Sequence, residues 1–492
     1  MIRIPIAGLA MLGATLAGCA VGPDYRAPVT AAGDRYTAQP LPERTAGSES
    51  QAFAAGADIP AQWWTLFGSP QLQALVEQAF KANPDIAAAE ATLRAAHENM
   101  LATASGLFPA IDGKAGASRQ KTSGTSFGQP NAGSSIYNVF NASVGVSYTL
   151  DLFGAQRRKI ESAGAQAEFQ RFQLEAAYLT LSSNVVTAAV RDAALRAQIE
   201  ATQKIVDASR GQLEVLKRQF DLGGAAKTDV LTQQAELAQL QASLPGLRKQ
   251  REQNRHLLAV LLGELPSQAP VVDFDLDSLK LPQTLPLSLP SKLVEQRPDV
   301  RAQAALVHQA SAEVGVATAN LLPQITLSAS LGTAAAQAGN LFGSGTGIWS
   351  AGAGLTQPIF HAGELTHRRR AAVASYEQAM AQYRTTVNTA FQNVADTLTA
   401  LSSDAETLDA QTEAYRAASA AHDIAQKQYA TGAISYLTLL TVERSYQNAL
   451  IAEVQARAAR YADTAALFQA LGGGWWNRDN PTAQNAAASE QP

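Results

Sequence analysis

The chain repeats itself, and the repeat sets what it can fold into. Pro84-Asp85-Ile86 returns as Pro298-Asp299-Val300, 214 residues later (84 to 298), and Leu107-Phe108-Pro109-Ala110-Ile111 returns as Leu321-Leu322-Pro323-Gln324-Ile325. Beyond that point the offset becomes 209 (154 to 363) and holds without a gap: Gly154 meets Gly363, Asn184-Val185 meets Asn393-Val394, Gln219-Phe220 meets Gln428-Tyr429, Gly223 meets Gly432, Leu231 meets Leu440 and Gly263 meets Gly472. A loop of different length between Ile111 and Gly154 accounts for the change. Whatever one copy builds, the other builds again.

Within each copy the hydrophobic period changes twice. From Pro84 to about Phe108 the pattern is alanine-rich and helical, and Pro109 and Pro323 stop it. Period two comes next. Ile136, Phe140, Ala142, Val144, Val146, Tyr148 and Leu150 point one way, and Tyr137, Asn141, Ser143, Gly145, Ser147 and Thr149 the other. Ile325, Leu327, Ala329 and Leu331 repeat the alternation, as do Trp349, Ala351, Ala353 and Leu355. The stretch from Ile111 is the weakest, with Lys114 and Arg119 inside it. Segments of about ten alternating residues suit tilted membrane-spanning strands, at about 110–122, 136–150, 324–333 and 348–357. The connections, roughly 120–135 and 333–347, are rich in Gly, Ser and Asn. Gly343-Ser344-Gly345-Thr346-Gly347 is read as such a loop and not as a phosphate cradle.

Helix then runs very long, over 154–222 and 226–263 in the first copy and 363–431 and 434–471 in the second, with no proline from Asn131 to Leu244 or from Ile359 to Asn480. Leu195, Ile199, Thr202, Val206, Ser209, Leu213, Leu216 and Phe220 form a heptad seam, echoed by Leu408, Tyr415, Ala418, Ala425 and Tyr429. At ~1.5 Å per residue, one helix over Gly154–Leu222 would run ~100 Å, which suits a tube or stalk and not a compact domain. The expected fold class is an α+β membrane protein of two tandem repeats, each with two transmembrane strands and long coiled-coil helices. Four strands cannot close a barrel, and an open edge is not viable in lipid. The chain must therefore form a ring. Twelve strands from three copies would close it, although strand count alone does not choose three over two or four.

Composition narrows the function. With 38 Lys+Arg against 42 Asp+Glu the net charge is −4, which leaves no electrostatic footprint for nucleic acid. No apolar run reaches the ~18–20 residues of a spanning helix, so a multi-pass helical transporter is excluded. The six histidines, among them His97, His256, His361 and His422, are scattered, and one cysteine makes neither a disulfide framework nor a metal cluster. No catalytic set, cofactor motif or metal site is visible. Met1 to Gly18 reads as a signal peptide ending in Leu16-Ala17-Gly18, and Cys19 directly after it stands where a bacterial lipoprotein signal places the acylated cysteine. Ala20, in place of an aspartate, favours the outer membrane. Residues 19–62 read as a lipidated, extended arm, 63–265 as the first repeat, 266–291 as a Pro- and Leu-rich linker, 292–474 as the second repeat and 475–492 as a tail.

Taken in order, Cys19-Ala20-Val21-Gly22-Pro23-Asp24-Tyr25 with Pro28, Trp63-Trp64 with Phe67, Pro70 and Leu72, Asp151-Leu152-Phe153-Gly154, Leu289-Pro290-Ser291 with Leu293 and Arg297-Pro298-Asp299-Val300, and Gly472-Gly473-Gly474-Trp475 resemble the outer-membrane efflux lipoproteins of the TolC/NodT type. The resemblance covers nearly the whole mature chain. It implies a homotrimer with a twelve-stranded β-barrel in the outer membrane and a periplasmic α-helical barrel, and an equatorial belt built near the repeat junction and the termini. It implies the exit duct of a tripartite pump that passes drugs or other small toxic compounds. The partners would be a periplasmic adaptor and an inner-membrane transporter of the resistance-nodulation-division class. Adaptors would dock on the turns Phe220–Gly224 and Tyr429–Ala433, with Gly223, Gly224, Thr228, Gly432, Ser435 and Tyr436 as candidate contacts. Relatives close the periplasmic end with a leucine and an aspartate ring. The leucine falls on Leu437, the aspartate position holds Thr441, Glu443 comes two residues on, and the family arginine falls on Arg444. Asp229 retains an acid in the first copy. A type I secretion channel would share the fold, and a passive porin is the other alternative. Substrate identity is not legible.

Overall fold

In the computed structural model, residues 20–28, 35–47, 49–123, 133–268 and 274–478 are described. The signal segment 1–18, the lipidation candidate Cys19 and the tail beyond 478 lie outside the described residues. In chain order the elements are β1 (Ala52–Ala55), α1 (Pro70–Ala82), α2 (Pro84–Ala104), β2 (Ala110–Ser123), β3 (Ser134–Leu150), α3 (Ala155–Asp221), α4 (Lys227–Leu261), β4 (Thr284–Leu287), α5 (Pro290–Gln296), α6 (Pro298–Ala319), β5 (Gln324–Ala335), β6 (Gly347–Thr356), α7 (Glu364–Ala430) and α8 (Tyr436–Ala470). The chain divides into two units. One comprises Met1–Pro28, Leu93–Gln170 and Gln303–Tyr383, the other Val29–Thr92, Arg171–Ala302 and Arg384–Pro492.

In the first unit the alternating segments form one antiparallel sheet in the order β2-β3-β5-β6. Its register sorts the side chains. Gly113, Val144, Leu331 and Trp349 lie in one cross-strand row, and Ile111, Val146, Ala329 and Ala351 in another. Between them runs Asp112, Gly145, Ser330 and Ser350, on the opposite face. Ile111, Val144, Leu331, Trp349 and Leu355 are exposed within the chain and all belong to the apolar face. The polar face is tied by Ser330 Oγ to Ser350 Oγ at 2.8 Å and Thr149 Oγ1 to Thr326 Oγ1 at 3.3 Å. The charges in the weakest strand fit this register. Lys114 pairs with Ser143 on the polar face, while Arg119 beside Asn138 ends the apolar band. Phe140 to Leu150, at ~3.3 Å per residue and tilted ~40°, covers about the ~25 Å of a spanning barrel's apolar belt. Neither β2 nor β6 has a partner on its outer edge among the described residues.

The described start of the arm is held in the same unit. Val21 N donates to Phe153 O at 3.0 Å, Arg158 bonds Asp24 at 2.8 Å and Glu161 at 2.7 Å, and Tyr25 stacks on His308 with ring centroids 4.1 Å apart. Gly22 has φ +100°, and a Cβ there would stand 2.5 Å from Gly315 Cα, so only glycine fits.

In the second unit the heptad seam of α3 is packed. Leu195, Thr202, Val206, Ser209, Leu213 and Leu216 are buried. Val206 and Leu213 meet Leu237 and Leu244 of α4, with Ile199, Val230 and Leu240 packed around them. Asp192, buried on α3, is held by Arg251 of α4 at 3.2 Å. The arm returns here as β1, which at four residues is too short to show a period in the sequence. It pairs in parallel with β4, Ala52 opposite Thr284. Around it Trp63 stacks on Phe468 at 5.3 Å, and Trp475 Nε1 donates to Gln296 O at 2.6 Å, joining residues from both copies and the C-terminal end. Asn83 turns α1 into α2: its Nδ2 donates to Leu261 O and its Oδ1 accepts from Asp85 N, both at 2.9 Å. Among the described residues no helix is long and apolar enough to cross a membrane.

Leu213→Ala should cost about 3 kcal/mol through the cavity it leaves, read as a lower melting temperature of the helical circular-dichroism signal. Arg210→Ala, which breaks only an exposed pair with Asp207, should change stability by no more than about 0.5 kcal/mol.

Candidate functional site at the helix turns

Two helix pairs turn in the second unit, and they turn alike. Gly223 N bonds Phe220 O at 2.9 Å and Gly224 N bonds Gln219 O at 2.7 Å; Gly432 N bonds Tyr429 O at 2.9 Å and Ala433 N bonds Gln428 O at 2.8 Å. Gly223 and Gly432 take φ of +78° and +74°, the left-handed conformation that closes a helix C-terminus. The helices beyond the turns start differently. Ser435 caps α8 by accepting from Thr438 N at 3.2 Å. Ala226 gives α4 no side-chain cap, and Asp229 in the first turn supplies the negative charge that favours the helix N-terminus. Gly223, Gly224, Thr228, Gly432 and Ser435 are at the turns, and Leu222 beside them is exposed.

Polar side chains tie the two pairs together just inside these turns. The Tyr436 hydroxyl donates to Gln233 Oε1. Gln233 is wholly buried, and its Nε2 donates to Ser209 Oγ at 2.9 Å and Ser209 O at 3.1 Å. One chain of bonds thus joins α8, α4 and α3. Tyr429 of α7 donates to Gln219 Oε1 of α3 at 3.2 Å, and its ring meets Tyr436 edge-on at 6.0 Å. Arg444 of α8 forms an ion pair with Glu236 of α4. Burial raises both tyrosine hydroxyls above their ordinary range, with nearby acids adding to the effect, so both stay protonated donors. The bond to Glu236 raises Arg444.

The sequence candidates separate into two sets. Leu437 is 68% exposed, and Thr441, one turn on, returns its hydroxyl to Leu437 O at 2.9 Å. They form an outward stripe that makes no tie to another helix among the described residues. Glu443 is 4% exposed, on the inward face with Leu440 and Gln447. Burial pushes its carboxyl up to about 6; a hydrogen bond from Gln212 opposes that, and the Glu236 carboxylate adds to it. Asp229 lies half-buried near the turn and acts on Tyr429 and Tyr436 through its charge. His422 stacks on Tyr446 at 4.7 Å.

Gln212, Gln219, Gln233 and Glu236 are site residues that the sequence pattern did not single out. Part of the signal was there: Val230, Gln233, Leu237, Leu240 and Leu244 keep a 3,4 spacing with one glutamine among apolar residues, and Leu440, Glu443 and Gln447 do the same. A polar residue at a seam position must find a partner. The pairing of Arg444 with Glu236 had no local signal.

The family model described as outer membrane efflux protein matches the chain over residues 75–264 and 289–473, one segment in each copy. The chain is 32% identical to the pyoverdine export outer membrane protein OpmQ of Pseudomonas aeruginosa, covering 87% of this chain and 91% of that protein. It is 28% identical to the toluene efflux pump outer membrane protein TtgC of Pseudomonas putida, covering 97% of each. Among solved structures, the outer-membrane channel OprN superposes with a TM-score of 0.83 at 30% identity, covering 93% of this chain and all of that one.

Tyr436→Phe should leave Gln233 Oε1 buried without a donor, at about 1–3 kcal/mol. Faster amide exchange confined to the turn-proximal ends of α4 and α8, with the Leu213 region unchanged, is the expected result.

Proposed function

The chain belongs to the outer membrane efflux protein family and is an outer-membrane efflux channel, and from that premise we propose how it assembles, docks and closes. Three copies supply twelve strands to a closed barrel, pairing β6 of one copy with β2 of the next, and twelve long helices to a periplasmic tunnel. Cys19 carries the lipid that anchors the arm. The channel is the exit duct of a tripartite pump, and a periplasmic adaptor docks on the turns through Gly223, Gly224, Thr228, Gly432, Ser435 and Tyr436. An inner-membrane transporter of the resistance-nodulation-division class supplies energy and chooses the cargo. The relatives are named for cargoes as unlike as pyoverdine and toluene. That supports small organic compounds as cargo and a duct that does little selecting.

The observation that carries the closing mechanism is the set of ties from α8 to the α3–α4 pair, Tyr436 to Gln233 and Arg444 to Glu236. With these made, α8 holds its outward stripe in place. Leu437 and Thr441 point from it toward the tunnel axis, and three leucines narrow the end. Thr441 makes that ring neutral where relatives carry an acid. Asp229 and Glu443 bear on the same ties from inside. Breaking them frees α8 to swing. An adaptor opens the end by binding the swung state more tightly, and it shifts the equilibrium only by that difference.

Leu437→Ser should raise the single-channel conductance of the isolated trimer several-fold in planar bilayers; unchanged conductance would remove Leu437 from the closure.

Cysteines at Ala226 and Ala433, crosslinked in living cells, should capture an adaptor together with a proton-driven pump. Capture of an ATP-driven exporter would move the channel to protein secretion. No capture, with the trimer intact, would leave a passive pore.

A further inference from the structure

Glu443 is a carboxyl in the wrong place for a simple structural role. It is 4% exposed on the inward face of α8. The neighbouring cation is committed elsewhere, because the Arg444 guanidinium pairs with Glu236 across on α4. Among the described residues Glu443 has no ion pair, and a hydrogen bond from Gln212 of α3 favours its charged form without offsetting burial. The titratable groups that interact with it are Glu236 on α4 and Tyr436 on its own helix, and on α3 the facing group is the neutral Gln212. A protonated Glu443 does not repel Glu236 and leaves it to Arg444 alone. An ionised Glu443 keeps the hydrogen bond from Gln212 but is a buried charge with no cation, beside a second carboxylate, an unfavourable arrangement in a poorly solvated interior.

We propose that Glu443 is a proton-operated latch of the closed periplasmic end: with its proton it holds α8 against the α3–α4 pair, and on losing the proton it favours release. The latch rests on the closing mechanism proposed above and adds a regulating signal to it, the periplasmic proton concentration. Release needs no oxidant, metal or nucleotide. One O–H bond is broken, the proton passes to water, and the carboxylate is solvated as α8 moves away.

Linkage sets the direction. The carboxyl takes its proton at about 6 in the closed arrangement and at its ordinary value of 4.5 once water reaches it. The closed state therefore binds more protons. Its advantage is complete below 4.5 and is lost as pH rises through 6, a change of about 30-fold in the closed-to-open ratio per subunit. Acid locks the end, and neutral pH leaves it easier for an adaptor to open.

The test uses the full-length trimer in planar bilayers, with the pH on the periplasmic side stepped from 4.5 to 7.5. The wild type should spend more time in high-conductance states as pH rises, with a midpoint near 6. Glu443→Gln, which keeps the shape and stays neutral, should remain at the wild type's acid level throughout. A flat wild-type titration, or a Glu443→Gln channel that titrates like the wild type, overturns the latch. Arg444→Ala in the same bilayers separates the two ideas. If it fails to raise conductance, the closing mechanism falls and takes the latch with it. If it raises conductance while Glu443→Gln keeps the wild-type step, only the latch falls. Should Glu443→Gln trimers not be recovered, the wild-type titration decides alone: a step near pH 6 supports the latch, and a flat response ends it.

Discussion

An unpaired strand edge in hydrocarbon is the constraint on which the rest of this protein depends. The sheet β2-β3-β5-β6 carries a continuous apolar face from Ile111 to Leu355 and ends in two edges whose N–H and C=O groups have no partner among the described residues. In water such edges could be solvated; in lipid each open group costs several kcal/mol. In the proposed assembly copies pair edge to edge until the sheet closes, and because each strand pair leads into a 67-residue helix, the helices would ring with it.

Two kinds of helix contact meet in the second unit, and their contrast supports the proposed closing mechanism. Along α3 and α4 an apolar cluster packs the pair, with Val206, Leu213, Leu237 and Leu244 buried together. Pulling them apart would expose several side chains at about 1.5–3 kcal/mol each. Next to the turns the contacts become single polar bonds from tyrosine, glutamine and arginine. Each is worth about 0.5–1.5 kcal/mol net, and water can replace it once the helices part. In the proposed closing mechanism such a seam would hold a default state that a docking partner, or one proton on Glu443, could tip.

The duplication also shows where identical scaffolds diverge. Both copies end their long helices with the same left-handed glycine, Gly223 and Gly432, and the same backbone bonds. Their side chains beside the turns differ. The first copy offers acceptors at Gln219, Gln233 and Glu236, whereas the second offers donors at Tyr429, Tyr436 and Arg444. The two halves of the chain are complementary beside the turns.

Much of this was legible in one dimension, for a physical reason: period two and the heptad are local rules, enforced by the pleat and the helical turn. Alternation from Ile136 to Leu150, the seam from Leu195 to Leu216, the prolines that end α2 and α6, and the repeat itself could be read directly. Glu443 was named only through the family resemblance, and the buried Gln233 was not singled out, although both sit at seam spacings. The sequence could not say which polar residue faces which across a separation of 208 residues, as Arg444 and Glu236 do (236 to 444). It could not reveal that the arm adds β1 to β4, or that Arg119 ends the apolar band while Lys114 sits harmlessly on the polar face. Those outcomes depend on register and on the packing of one helix pair against another. Neither is encoded in any local period, and only the assembled tertiary structure decides them.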